Sequence, residues 1–302
     1  MCHFNPALTV AVAIGLMVSS SVLAQGDTHR ASGFVPDVAR QTLSVTTLNM
    51  AKEKNAEAIL KEWRAHPDIS NSDIILLQEV AHIAADQPNI AATLAREMSY
   101  YVVSTSTASV SSRDTDGLAI ISRYPLTEFE QMQLEHNDML FHTRNRFAIA
   151  ATVQTPSGPI RVYDVHLDSR INARARLKQI APVIAEAAQW DGPRLIGGDF
   201  NTNYFRWAGN VVPIGVSFQS RAIQQAMSEK GFTTVLAGSG PTSDFLRLHL
   251  DWFYTRDVQV FDTAIQPIKF SDHHAVRITL APDPALSHRD THRDIASSAV
   301  DR

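Results

Sequence analysis

The most constraining feature of this sequence is a series of short, nearly continuous apolar runs. Each run is rich in β-branched residues and is bounded by Gly, Pro, Asp or Asn, which is typical of β-strands. Eight such runs occur, at residues 42–50, 73–80, 117–126, 146–155, 160–168, 193–200, 250–255 and 275–281. Because the runs are continuous rather than alternating, they predict sheets that are covered on both faces.

Amphipathic helical patterns lie between these runs. Four segments space their apolar residues as helices do, at residues 54–66, 89–98, 173–190 and 220–231. The chain has 302 residues, of which 44% are apolar, so it can bury a sizeable core in one large domain or two small ones. Strands and helices alternate only loosely, and no internal repeat is visible.

Residues 1–24 have the features of a secretory signal peptide. The segment contains no Asp, Glu, Lys or Arg, is apolar from about Ala7 to Val18, and ends in VLA, which predicts cleavage after Ala24. A membrane-anchoring helix is the alternative interpretation, but it requires about 20 apolar residues. We therefore expect a secreted or periplasmic protein with no stable membrane insertion after cleavage.

The only cysteine, Cys2, lies in the segment predicted to be removed. The mature chain would then contain no thiol, which excludes disulfides, thiolate zinc sites and cysteine nucleophiles. After Pro282 the apolar periodicity is lost, and we predict that residues 283–302 form a disordered tail.

The charge balance does not indicate a broad nucleic-acid-binding surface. The 27 Lys and Arg residues against 31 Asp and Glu residues give a formal net charge of −4. One compact basic cluster is nevertheless a candidate for contacts with an anionic substrate. It contains Arg170, Arg174, Arg176 and Lys178. No feature of the sequence indicates a protein partner.

Six polar islands lie at or beside the ends of the predicted strands. They are Asn49, Gln78–Glu79, His166–Asp168, Gly198–Asn201, Asp251 and Ser271–His274. Each island alone has a structural explanation, such as a strand reaching the surface or an Asx turn. Together, their carboxylates, imidazoles and carboxamides favour a hard divalent cation bound by oxygen and a negatively charged substrate.

Two adjacent histidines raise a question of side-chain direction. If a strand runs from residue 273 to residue 280, side chains alternate between its two faces. His274 then shares a face with Val276 and Ile278, whereas His273 lies on the opposite face. The alternation predicts that His274 packs and that His273 faces a site.

Seven segments in a fixed order carry a resemblance to a known superfamily. They are LNM, LLQEV, GLAIISRYPL, VHLDS, GGDFN, LDWF and SDHHAV. This set resembles the endonuclease/exonuclease/phosphatase superfamily over roughly residues 42–281, and the ordered set is far more specific than any single motif. The resemblance implies the α/β class and a four-layered sandwich, in which two packed mixed β-sheets are flanked by helices. Residues 42–282 would form this domain, preceded by an N-terminal linker at residues 25–41.

The resemblance also implies roles for the polar islands. Glu79 would bind the catalytic Mg²⁺, or Mn²⁺ in its place, with Asn49 beside it and Asp272 in the metal and water network. The catalytic residues that it implies are His166, Asp199, Asn201, Asp251 and His273. Asp199 would orient or deprotonate the attacking water, the two histidines would contact the scissile phosphate, and Asp251 would hold His273 in its working tautomer.

The resemblance leaves two assignments undecided: the number of metal ions, and the arginine that contacts phosphate. Ala51 stands where some nuclease members carry a second acidic ligand, which leaves the number of metal ions undecided. Arg146 and Arg144 both stand near the position where several members carry a contact to phosphate. Substrate binding is therefore assigned to Arg146, Arg170 and Asn49, with Arg144 as the competitor of Arg146.

The resulting hypothesis is a secreted or periplasmic Mg²⁺-dependent phosphoester hydrolase, acting as a phosphodiesterase on nucleic acid. Two alternatives remain: a hydrolase of phospholipids or small phosphoesters, and a non-catalytic binding protein on the same fold. A shared fold cannot choose among these substrates. The binding-protein alternative predicts loss of the acidic and imidazole positions, and all of them are present.

Overall fold

The computed structural model describes residues 42–81, 89–105, 117–138, 145–215 and 218–283. The predicted signal peptide and linker, nearly all of the predicted tail, and Arg144 lie outside these described residues. Among the described residues, no helix is long and apolar enough to cross a membrane.

Thirteen strands and five helices are present in the described part of the chain. The strands are β1 (Leu43–Asn49), β2 (Ile74–Val80), β3 (Tyr101–Ser104), β4 (Gly117–Ser122), β5 (Leu126–Gln133), β6 (Phe147–Thr155), β7 (Gly158–His166), β8 (Arg194–Asp199), β9 (Arg206–Ala208), β10 (Val212–Ile214), β11 (Asp251–Arg256), β12 (Val258–Pro267) and β13 (His274–Pro282). The helices are α1 (Ala56–Ala65), α2 (Pro67–Ser70), α3 (Ile90–Met98), α4 (Ala173–Gln189) and α5 (Gln219–Ser228). A single 3₁₀ turn covers Phe245–Arg247.

Two mixed sheets form the centre of the domain. The first has six strands in the order β12-β13-β1-β2-β4-β3, and the second has five in the order β11-β8-β7-β6-β5. Each sheet contains one parallel pair, β1 with β2 and β7 with β8. Strands β9 and β10 form a separate small hairpin sheet.

The apolar side chains explain the layering. One buried cluster joins the outer face of the first sheet to α1 and α3, as shown by Ile75 and Leu77 packing with Ile59 and Leu94. A second cluster holds inner-face residues such as Leu76 together with residues of the second sheet, α4 and α5. The order of layers is therefore helix, sheet, sheet, helix, which confirms the predicted fold class.

The predicted helices all occur, but one predicted strand is too long. Strand β4 covers only Gly117–Ser122 of the predicted run 117–126, and β5 begins at Leu126 after a turn. Five strands were not predicted, namely β3, β5, β9, β10 and β12. Strand β12 is exposed along most of its length because it forms the sheet edge, so it lacks the continuous apolar run that marks a covered strand.

Strand directions bring the polar islands to one end of the sandwich. The parallel strands β1, β2, β7 and β8 end there, and the antiparallel strands β11 and β13 begin there. Contact across the sheets shows that these ends meet, because Asn49 Nδ2 of β1 lies 3.0 Å from Asp199 Oδ2 of β8. This end of the sandwich therefore holds the candidate site.

Candidate active site

The Asp199 carboxylate lies at the centre of the site and is almost fully buried. The Asn49 side-chain amide donates to its Oδ2 at 3.0 Å, and the Asn201 amide donates to the same oxygen at 3.0 Å. Its Oδ1 accepts the backbone N–H of Asn201 at 2.8 Å. These donors hold the carboxylate in one orientation, so Asp199 is rigid before any substrate arrives.

Asp199 reaches the centre of the site because the two glycines before it let β8 pack closely against its neighbours. Gly198 has a φ of +134°, and a Cβ on it would lie 2.1 Å from the Val165 carbonyl oxygen of β7. A Cβ on Gly197 would lie 2.5 Å from the Phe253 ring. The glycine pair before Asp199 is therefore required by packing between neighbouring strands and side chains.

His273 is oriented by a buried carboxylate. Its Nδ1–H donates to Asp251 Oδ2 at 2.9 Å, and the hydroxyl of Thr242 donates to the same oxygen at 2.7 Å. The backbone N–H of His273 donates to Ser271 Oγ at 3.0 Å. The remaining ring nitrogen, Nε2, lies 3.8 Å from Asp199 Oδ2 and so faces the centre of the site.

His166 is oriented by a cation instead. Arg146 Nη1 lies 3.0 Å from His166 Nδ1, while Arg146 Nε donates to Asp168 Oδ1 at 2.8 Å. Because a guanidinium can only donate, Nδ1 of His166 must be the acceptor and its proton must sit on Nε2. That Nε2 lies 3.5 Å from Asp199 Oδ2, so the N–H of His166 faces the centre of the site.

Glu79 reaches the site through an irregular backbone. Regular alternation in β2 would place Glu79 on the face of Leu77, toward the helices. Instead, the register with β4 shifts between Leu77 and Val80, and Glu79 has a φ of +51°. This bulge turns the side chain, and Glu79 Oε1 lies 3.8 Å from His166 Nε2.

The pKa values of Asp199 and His273 are both raised, but for different reasons. Burial raises the pKa of Asp199; the charge of His273 and the hydrogen bond from Asn49 lower it, while Asp251 raises it, and the net pKa is well above the ordinary value. Burial alone would lower the pKa of His273, but Asp251 and Asp199 together raise it above its ordinary value. The imidazolium form of His273 is therefore favoured between these carboxylates.

A buried acidic and histidine group could bind a metal ion. Among the described residues, the ligand atoms of Asp199, Asp251 and His273 all lie within 4.8 Å of one another. Asp251 and Nδ1 of His273 are already bonded to each other, however, so they suit orientation better than coordination. The carboxylates of Glu79 and Asp199 both lie within 4 Å of the same His166 nitrogen. This oxygen donor set fits a hard cation such as Mg²⁺.

Two further residues of the predicted polar islands, Asp272 and His274, lie at the edge of the site. Asp272 is exposed, and its backbone carbonyl accepts the N–H of Asp244. The His274 side chain is only 12% exposed, as expected for a residue that packs, but its Nε2 also lies 3.0 Å from the exposed carboxylate of Asp244. His274 is the first residue of β13, so at this end of the strand its ring combines burial with a polar partner.

The predicted basic cluster does not form one surface. Arg176 is fully buried, and its Nη1 donates to the carbonyls of Asp168 at 2.6 Å and Phe200 at 2.7 Å. Its Nε donates to Gln219 at 2.8 Å. Arg176 is therefore a structural residue, because burying a guanidinium requires that its donors be satisfied. Arg174 and Lys178 are exposed, and Arg170 is half-buried beside Trp207.

Several residues that orient the site were not predicted. Thr242 is a small hydroxyl residue in a loop, and nothing in its sequence context marks it. Ser271 belonged to a polar island but was given no role, and the structure shows that its Oγ accepts the backbone N–H of His273. Asp168 belonged to a polar island, and the structure shows that it accepts from Arg146 and from Gln179 at 2.8 Å. Asp164 bonds Gln78 across the two sheets, and burial raises its pKa well above the ordinary value.

Comparison with known proteins identifies the family. The family model described as "Endonuclease/Exonuclease/phosphatase family" matches residues 46–273, more than half of the chain. This chain belongs to the endonuclease/exonuclease/phosphatase family, whose members hydrolyse phosphate esters, and the predicted resemblance is confirmed. No curated protein sequence matches it significantly.

Solved structures share the fold at low sequence identity. An endonuclease/exonuclease/phosphatase from Beutenbergia cavernae DSM 12333 superposes with a TM-score of 0.62 and 17% identity, over 80% of this chain and 72% of that one. The human Nocturnin catalytic domain with bound sulfate has a TM-score of 0.57 and 18% identity, over 83% and 100%. D. rerio TDP2 complexed with single strand DNA product has a TM-score of 0.58 and 16% identity, over 80% and 99%. At these identities the similarity establishes the fold alone.

Proposed function

We propose that this chain is an exported, Mg²⁺-dependent phosphodiesterase that cleaves nucleic acid. One observation carries the proposal: the buried carboxylate of Asp199 lies between two imidazoles that are oriented by independent partners. A phosphodiester is anionic, so its hydrolysis requires donors on the non-bridging oxygens and a base for the attacking water. Export rests on the signal-like segment at residues 1–24 and its predicted cleavage after Ala24.

Each side chain has a distinct task in this mechanism. Asp199 accepts the proton of the attacking water, which its raised pKa favours, because a base works best with a pKa near the operating pH. His166 donates its Nε2–H to a non-bridging oxygen, since Arg146 holds the proton on that nitrogen. His273, held by Asp251, donates from Nε2 to the developing negative charge.

The metal ion would be held by Glu79, with Asn49 beside it. When bound, Mg²⁺ would polarise the phosphoryl group and stabilise the negative charge of the leaving oxygen. The Asn49 amide already bonds Asp199, and its Oδ1 accepts the N–H of Ala51 at 2.9 Å. Asn49 therefore positions Asp199 relative to the metal site.

Removal of divalent metal is expected to abolish hydrolysis, and Mg²⁺ or Mn²⁺ is expected to restore it. The measurement is the rate on bis-(nitrophenyl) phosphate after dialysis against excess chelator and after titration with each metal. Glu79→Gln should raise the Mg²⁺ concentration needed for half-maximal rate by at least about tenfold, because it replaces an anionic ligand with a neutral one.

Glu128→Gln is the matched control, since Glu128 also has a positive φ but bonds Thr152 on β6. Full activity in excess chelator would contradict the metal mechanism. Restoration by Zn²⁺ alone would indicate a site with histidine ligands instead.

Cleavage of DNA is expected to fall steeply as salt is added, because each phosphate contact releases counterions. Arg170, Arg174 and Lys178 are the members of the predicted basic cluster that are not buried, so their replacement together by Ala should weaken DNA cleavage and flatten the salt dependence. Rates on plasmid DNA and on bis-(nitrophenyl) phosphate should be compared from low to high salt.

The small diester serves as the internal control, because it should keep most of its rate in the triple variant. Parallel behaviour of the two substrates would argue against a nucleic-acid substrate. Hydrolysis of sphingomyelin or a phosphoinositide without any DNA or RNA cleavage would favour the phospholipid alternative.

A further inference from the structure

A cavity of about 360 Å³ lies beside the candidate site and has no role in the mechanism above. Part of its wall comes from the two chain segments that carry the central carboxylates, and the rest comes from the start of α5 and from residues 237–239. Thr202 and Asn203 follow Asn201 directly, and His249 and Trp252 flank Asp251 in sequence. Trp252 Nε1 donates to Thr202 Oγ1 at 2.8 Å, which ties these two segments together.

The cavity is lined by flat aromatic groups. Tyr204 and Phe218 are 54% and 59% exposed, which is high for large aromatic residues. Trp252 forms a buried wall, and the His249 ring lies against it with 4.1 Å between ring centroids. Such surfaces favour a planar ligand that can stack on aromatic rings.

Polar groups on the walls narrow the chemistry of the ligand. The carbonyl of Gly240 can only accept, so His249 Nδ1, at 2.8 Å from it, must be the donor. His249 Nε2 is buried and has no hydrogen-bond partner among the described residues. A buried polar atom without a partner is costly, and a ligand N–H group would satisfy it.

A cation at the cavity disfavours a positively charged ligand. The Arg221 guanidinium lines the cavity and lies 4.5 Å from the centroid of the Phe218 ring. It would repel a quaternary ammonium headgroup but would attract a phosphate attached to the ligand. A volume of about 360 Å³ is near the lower end for small-molecule sites, about 300–1,000 Å³, and suits one planar group rather than a chain.

We propose that this cavity is a nucleobase subsite, in which a base of the substrate stacks on Tyr204 and Phe218 beside the cleaved phosphate. The planar base supplies the stacking surface, and its amino or ring N–H groups supply the donor that His249 lacks. The inference rests on the proposed function, because it takes the substrate to be a nucleic acid.

The test is calorimetric binding of mononucleotides to the purified chain in excess chelator, where no hydrolysis occurs. Stacking of one base contributes about 1–3 kcal/mol, so dAMP and AMP should bind about 5- to 150-fold more tightly than deoxyribose 5-phosphate and ribose 5-phosphate. Comparison of dAMP with AMP separates a DNA source of the base from an RNA source.

Tyr204→Ala and Phe218→Ala should each remove most of this preference. Phe261→Ala is the matched control, because Phe261 is 55% exposed on β12 and does not line the cavity. The Phe261→Ala variant should prefer nucleotides over base-free sugar phosphates as strongly as the unaltered chain does. Melting temperatures of all three variants check that folding is intact, as expected for exposed side chains.

Equal binding of the nucleotides and the base-free phosphates would overturn the subsite, as would tighter binding of phosphocholine. A preference that survives both aromatic substitutions would also overturn it. Failure of the proposed function would appear separately, as the absence of diester hydrolysis with Mg²⁺ present. Nucleotide preference without hydrolysis would therefore support the subsite and contradict the phosphodiesterase proposal.

Discussion

Replacing His273 with alanine is expected to lower kcat by about 100- to 10,000-fold, because a donor to the reacting phosphate is worth roughly that much. The variant should also lose about 1–3 kcal/mol of stability, since Asp251 would keep only the Thr242 hydroxyl among its present side-chain donors. The measurements are kcat on bis-(nitrophenyl) phosphate with saturating Mg²⁺, and urea denaturation.

The adjacent histidine provides the control for this prediction. His274→Ala removes a pair with Asp244, whose side chain is 75% exposed, and pairs of this kind contribute about 0–1 kcal/mol. Its kcat should stay within about twofold of the unaltered chain. An equal loss of kcat in both variants would contradict a specific role of His273 as a donor to the reacting phosphate.

Replacing Arg176 with methionine is expected to destabilise the fold by about 3 kcal/mol or more. The substitution keeps a long side chain but leaves the buried carbonyls of Asp168 and Phe200 without their donor, and each such group costs about 1–3 kcal/mol. These carbonyls lie one or two residues after His166 and Asp199. The variant should therefore also lose activity in its folded fraction.

Arg174→Met is the matched control on the same helix, because Arg174 is exposed. Its free energy of unfolding should change by less than about 0.5 kcal/mol. Both variants should be compared by urea denaturation. The dependence of the unfolding free energy on urea concentration should be the same in both, so that a shifted midpoint reports stability alone. Equal stability of the two would return Arg176 to the surface cluster that the sequence suggested.

Strands and motifs were predictable because their signals are local. A covered strand needs a continuous apolar run, and residues 146–155 and 193–200 carry such runs whatever their neighbours are. The exposed edge strand β12 needs no such run, since one partner strand is enough to hold it. Its pairing with β13 is therefore not visible in its own composition.

The two histidines show where alternation along a strand stops being informative. Strand β13 begins at His274, so His273 lies outside the alternating backbone. Its position is determined by its backbone bond to Ser271, its bridge to Ser243 and its side-chain bond to Asp251. The residue expected at the site is there, but the parity argument does not explain it.

The sequence by itself determined where most of the covered strands lie, the order of the polar islands along the chain, and hence the family. Only the tertiary structure decided that Glu79 turns inward at a bulge, that Arg146 acts on His166, and that Arg176 is buried. The physical reason is that these outcomes depend on partners far away along the chain. Arg146 is 20 residues from His166, and Asn49 is 150 residues from Asp199, so no local pattern can specify either contact.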